Sequence, residues 1–160
     1  CALPIFDKTI GEYFVYTDSD IELNPNFPNN WKERMYQILD KYKVDKVALA
    51  LRIDDLPEKY VLANQVKGNE HRWWREEVEK NVFKADTDTT FALYRNIFDN
   101  CFPSLRMAHE DMICRHIPWY HDIKNLDEEE KYYLEHLGAR QLTQYSKQHK
   151  NPELYGIQLT

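Results

Sequence analysis

Two aspartates, Asp18 and Asp20, follow almost directly on the aromatic run "YFVY" at residues 13 to 16. In an extended backbone alternate side chains share a side, so both carboxylates can face one site. Carboxylates held this close repel each other unless a cation lies between them, and hard oxygen ligands suit Mg²⁺ or Mn²⁺. The competing role is ordinary: aspartate is common in turns, and one or both side chains can serve the bend that follows. The spacing leaves both roles open. In an open α/β sheet, ligands gather beyond the carboxyl ends of the strands, which is where this pair would sit.

The elements that must position the pair are legible on either side of it. The unbroken run "YFVY" predicts a central strand covered on both faces. Asn30, with Glu33 three positions on, predicts a helix start, and Trp31, Met35, Ile38, Leu39 and Tyr42 fall on one face of the helix that follows. "KVALALRI", residues 46 to 53, reads as a second buried strand, and strand, helix, strand in that order is a crossover unit. Beyond it, "DDLPEKY" reads as a loop and "NEHRWWREEVE" as a short helix carrying Trp73 and Trp74. "DTDTTFALYR", residues 86 to 95, predicts a third strand led by acids. "LDEEEKYYLEHLG" predicts a helix capped by Asp127, with Glu130 at its third position and Gly138 as its stop. The fold class is α/β, in a single domain spanning residues 1–160.

The totals bound the function. A chain of 160 residues with 42% hydrophobic and 30% charged residues can bury a core of its own. A net charge of -6 argues against a broad phosphate-backbone footprint, so no nucleic-acid partner is expected. Cys1, Cys101 and Cys114 lack zinc or disulfide-framework spacing, and no apolar run reaches the about 18 residues of a transmembrane segment. A cytoplasmic protein is expected.

"TDSDIELNP", "KVALALRIDDLPEKY", "DTDTTFALYR" and "CRHIPWYHD" occur in that order. Together they resemble a group of bacterial glycosyltransferases of the GT-A fold, similar to glycosyltransferase family 2, over about residues 12 to 122. The resemblance implies a mixed sheet flanked by helices. It also implies a nucleotide-sugar donor, a glycan acceptor and a place in polysaccharide biosynthesis. Asp18 and Asp20 match the Asp-x-Asp motif that holds Mn²⁺ or Mg²⁺ against the donor diphosphate, with Ser19 where that group often has proline. His116 matches the late histidine that completes the metal shell, with His121 second. Asp88 matches the acid expected to act as base in an inverting transfer, with Asp111 of "HEDMICR" as the alternative.

In that family roughly a hundred residues precede the Asp-x-Asp and hold the nucleotide. The chain is therefore expected to lack most of the N-terminal nucleotide-binding half, and to expose a sheet edge that can recruit a second copy. Trp73, Trp74 and Trp119 are candidates for a sugar platform and equally for the core. Two other functions share these residues: a non-catalytic carbohydrate-binding or assembly module, and a metal-dependent phosphoester hydrolase.

Overall fold

The computed structural model describes residues 12–60, 62–86, 90–95, 103–122 and 125–136. The architecture is mixed α/β: a mixed sheet flanked by helices. Its centre is β3 (Lys46–Leu49), whose four residues are all buried, as the continuous apolar run demands. On one side β3 pairs antiparallel with β6 (Ala92–Arg95), and β6 pairs antiparallel with β1 (Tyr13–Tyr16). On the other side β3 runs parallel to β7 (Ser104–Met107), which is followed outward by β5 (Val82–Lys84) and β4 (Glu77–Glu79). Since β6 is antiparallel to both neighbours, β1 and β3 point the same way, as a crossover requires.

The helix of that crossover, α1 (Trp31–Tyr42), buries Met35, Ile38 and Leu39 against Val47, Leu49, Leu93, Leu105 and Met107. Asn30 stands at its start but makes no side-chain cap. Its end is tighter than the sequence suggests. Lys43 takes a left-handed conformation at φ 52°, the Val44 N–H donates to the Leu39 carbonyl at 3.2 Å, and Val44 is buried. This is the six-to-one closure that glycine usually supplies.

The opposite face of the sheet carries Ala48, Ala92 and Tyr94. Arg106 also points there, alternating with Leu105 and Met107, and is only 4% exposed. Its guanidinium meets Glu70 of α2 (Ala63–His71) at 2.7 Å and the face of Trp73 at 5.6 Å. A buried cation of this kind must be paired, and the pairing ties α2 to the sheet.

Three sequence expectations are corrected. "YFVY" is not central: among the described residues β1 ends the strand order, and Val15 is exposed. Its unbroken pattern instead reflects aromatic contacts on both faces, with Tyr13 edge-on to Tyr36 at 5.2 Å and Phe14 stacked on Tyr94 at 4.9 Å. "NEHRWWREEVE" is not one helix. The helix begins earlier, at Ala63, a 3₁₀ turn holds Arg72–Trp74, and the rest enters β4. Asn81, left-handed at φ 61°, donates its N–H to the Glu77 carboxylate at 2.8 Å and turns β4 into β5. In the third strand, β6 covers only Ala92–Arg95.

The last described helix, α3 (Glu128–His136), is capped as read, with the Glu130 N–H donating to Asp127 at 2.8 Å. Its Leu134 joins Tyr60, Leu62 and Leu126 in a second cluster, and Trp119 packs against both clusters. Gly138 lies outside the described residues. No helix among them is long and apolar enough to cross a membrane.

Leu39 is fully buried beneath the sheet. Leu39→Ala is expected to lower unfolding free energy by about 2–5 kcal/mol. Urea denaturation checks this through a lower midpoint at unchanged slope.

Candidate functional site

Beyond Tyr16 the chain turns and enters β2 (Ile21–Leu23), which pairs antiparallel with β8 (Cys114–His116). The register sets Ile21 opposite His116 and Leu23 opposite Cys114, and the Ile117 N–H extends the ladder by donating to the Asp20 carbonyl at 2.9 Å. β8 is itself fastened to the continuation of the central strand. The Cys114 N–H donates to Ala50 at 3.1 Å, and the Arg52 N–H donates to Cys114 at 2.7 Å. Cys114 is 1% exposed, and burial pushes its thiol up to about 12, so it stays protonated and serves packing.

This arrangement brings together two of the residues singled out by sequence. Asp20 Oδ2 lies 3.2 Å from His116 Nε2. Burial holds the His116 imidazole below its usual range, against the opposing fields of Asp20 and Asp18, so the ring is neutral at pH 7. Trp119 meets the ring edge-on at 4.9 Å and limits its rotation. Asp20 Oδ1 and His116 Nδ1 are both buried without a hydrogen-bond partner. Orphaned atoms of this kind are unusual in a folded protein and call for a reason.

The remaining candidates are placed elsewhere or not described. Asp18 reaches His116 through its field. Asp111 lies in the turn before β8, at the far end of the β2–β8 ribbon from His116. Both its oxygens are taken by Arg34 of α1, at 2.5 and 3.2 Å, and that guanidinium holds its carboxyl below the usual range. Glu110 pairs with Arg52. Asp88 falls outside the described residues. His121 lies 3.6 Å from Glu130. Trp73 and Trp74 lie in the packing between α2 and β5 rather than beside Asp20, with Trp74 against Phe83 at 5.4 Å.

No family model, curated protein or solved structure matches the chain. The site therefore has to be read from its own geometry.

Asp20 and His116 stand on the wall of a cavity of about 660 Å³ that continues between α2 and α3, past Gln65, Asn69, Trp119 and Glu130. Sequence reasoning missed the α2 and α3 contributions. Gln65 and Asn69 are four apart on one helix, a same-face spacing that could have flagged them. Among the described residues, no three His, Cys, Asp or Glu side chains form a group that could hold a metal ion. Asp20 and His116 nonetheless suit a shared ion. Adjacent ligands about 2.1 Å from an octahedral ion lie about 3 Å apart, close to the separation here, and Mg²⁺-type sites commonly use one or two carboxylates plus substrate phosphates.

Behind the site, Asp55 braces β8. Arg115 donates to Asp55 Oδ2 at 3.0 and 2.5 Å, and the Tyr120 hydroxyl donates to Oδ1 at 2.6 Å. Burial alone would raise the Asp55 carboxyl, but the bonds from Tyr120 and Arg115 outweigh it and hold it below the usual carboxylate range. Asp55→Asn is expected to cost about 1–3 kcal/mol at pH 7. Because the folded value is depressed, this stabilisation is complete above the unfolded value and fades as pH falls through the folded one, below about 4. Paired thermal melts of native and variant protein at pH 7 and pH 3 check it: the gap should narrow at the lower pH.

Proposed function

We propose that the chain is part of a GT-A-type glycosyltransferase that moves a sugar from a nucleotide-sugar donor to a glycan acceptor, with inversion and with Mn²⁺ or Mg²⁺. One observation carries the reading. Residues from the two ends of the resemblance, Asp20 and His116, meet at 3.2 Å on a cavity wall.

Asp20 and His116 are the residues that would hold the ion, with Asp18 adding negative field. When bound, the ion supplies Lewis acidity where charge develops on the departing diphosphate. The chain's own contribution is preorganisation. The β2–β8 ladder fixes both backbones, Trp119 limits the imidazole, and burial disfavours the imidazolium, so that Nε2 would offer its lone pair once the ring proton sits on Nδ1. A neutral imidazole also favours Mn²⁺ over Mg²⁺.

The transfer needs a base for the acceptor hydroxyl. Asp111 is tied to Arg34 and does not line the cavity, so Asp88 remains the sequence candidate. A non-catalytic saccharide-binding module is the second reading, favoured by the aromatic and amide groups on the cavity wall.

The test is differential scanning fluorimetry with Mn²⁺ and inorganic pyrophosphate, the part of the donor that the ion would hold, together and separately. The pair is expected to raise the melting temperature more than either alone, and Asp20→Ala and His116→Ala to remove that excess. No excess in the native chain, or one that survives in both variants, argues against the transferase.

A further inference from the structure

The cavity does not end at Asp20 and His116. It runs on between α2 and α3, and the chemistry changes along it. Aromatic side chains come from Tyr60, Trp119 and Tyr133, of which Tyr133 is the most exposed, and side-chain amides from Gln65 and Asn69. Flat apolar faces pack against the CH face of a pyranose, and amides donate to and accept from hydroxyls. At about 660 Å³ the cavity has the size of a small-molecule site.

Its charge is one-sided. Asp20, Asp127, Glu129 and Glu130 line it, and no lysine or arginine does among the described residues. Two histidines line it as well, each set against one of these acids: His116 lies 3.2 Å from Asp20 and His121 3.6 Å from Glu130. Asp127 is engaged in capping α3 through its Oδ1. Glu130 is mostly buried, and it is the carboxylate best placed to accept from a bound hydroxyl or ammonium group.

We infer that the part of the cavity between α2 and α3 is a saccharide subsite that takes a pyranose without negative charge, anchored by Glu130 and excluding uronic or phosphorylated sugars. Its place as the acceptor subsite rests on the transferase reading, while saccharide binding itself does not. Exclusion follows from electrostatics. A carboxylate brought among fixed carboxylates in a partly enclosed site meets repulsion, and among the described residues no lysine or arginine lines the site to offset it.

The experiment is a titration in EDTA with three oligosaccharide probes, followed by tryptophan fluorescence and ligand-observed NMR. The probes are a neutral glucose oligomer, a glucosamine oligomer and a galacturonic acid oligomer. The first two are expected to bind and the third to bind at least about tenfold more weakly, a difference of about 1.4 kcal/mol. Glu130→Gln keeps the size of the side chain and the backbone bond to Asp127. It is expected to weaken the glucosamine oligomer most and to narrow the gap to the galacturonate. Gln65→Ala, at an exposed position of the cavity wall, is expected to weaken all three.

Equal binding of the galacturonate, or no binding of any probe, overturns the proposal. So does unchanged binding in both variants. The chelator keeps the two readings separable. Saccharide binding without the Mn²⁺ and pyrophosphate response removes the transferase and leaves the subsite. That response without saccharide binding does the reverse.

Discussion

The site depends on a short antiparallel ladder. β2 and β8 pair over only three residues each, yet their register decides that Asp20 and His116 face one another. A shift by one residue would turn every side chain of the ribbon to its other face and separate the pair. Short ladders slip easily, so something beyond their own hydrogen bonds must hold this one. The hold comes from the central strand: Ala50 and Arg52 bond to Cys114 on either side of the Leu51 bridge, and Cys114 is fully buried. The position of His116 is thereby referred to the most buried segment of the sheet.

The same logic explains the polar groups around β8. Arg115 points away from the cavity to Asp55 and Glu22, and Tyr120 completes the set from the far side of the 3₁₀ turn Ile117–Trp119. On the other side of the sheet, Arg106 and Glu70 dock α2, which carries one wall of the cavity. Both cations neighbour the site without lining it. Their charge is spent on structure, so the cavity keeps the negative character of its own residues.

The sequence made some of this visible and hid the rest for identifiable reasons. β3, α1 and α3 were legible because each carries one strong periodic or capping signal, as with Asp127 and Glu130. The crossover direction followed from element order. The position of β1 did not, because an unbroken aromatic run reports cover on two faces and cannot distinguish a central strand from one at the end of the order. The β4–β5 hairpin was hidden because its turn rests on Asn81 without a glycine beside it, and its charged residues resemble an exposed helix. The Asp20–His116 meeting rests on long-range pairing between β2 and β8, which no local pattern encodes. Only the order of the motifs pointed to it. The fate of Asp111 was equally non-local, being decided by Arg34 on a helix that sequence reading treated separately.

Charge imposes an order on any chemistry proposed for this cavity. Asp18 and Asp20 set a negative field at His116, and the imidazole, held neutral by burial, offsets none of it. A nucleoside diphosphate brings further negative charge to a wall without lysine or arginine among the described residues. Coulomb repulsion in a partly enclosed site is only weakly screened, so diphosphate and cation must enter together or the cation first. An uncharged sugar meets no such barrier and can occupy the space between α2 and α3 regardless of what stands at Asp20 and His116. The two parts of one cavity thus answer to different physics: the part at Asp20 and His116 to charge neutralisation, and the part between α2 and α3 to stacking, hydroxyl hydrogen bonds and the exclusion of anions. A transferase needs such a division, because its donor must be held by charge that is relieved on departure while its acceptor must not compete for the same ion.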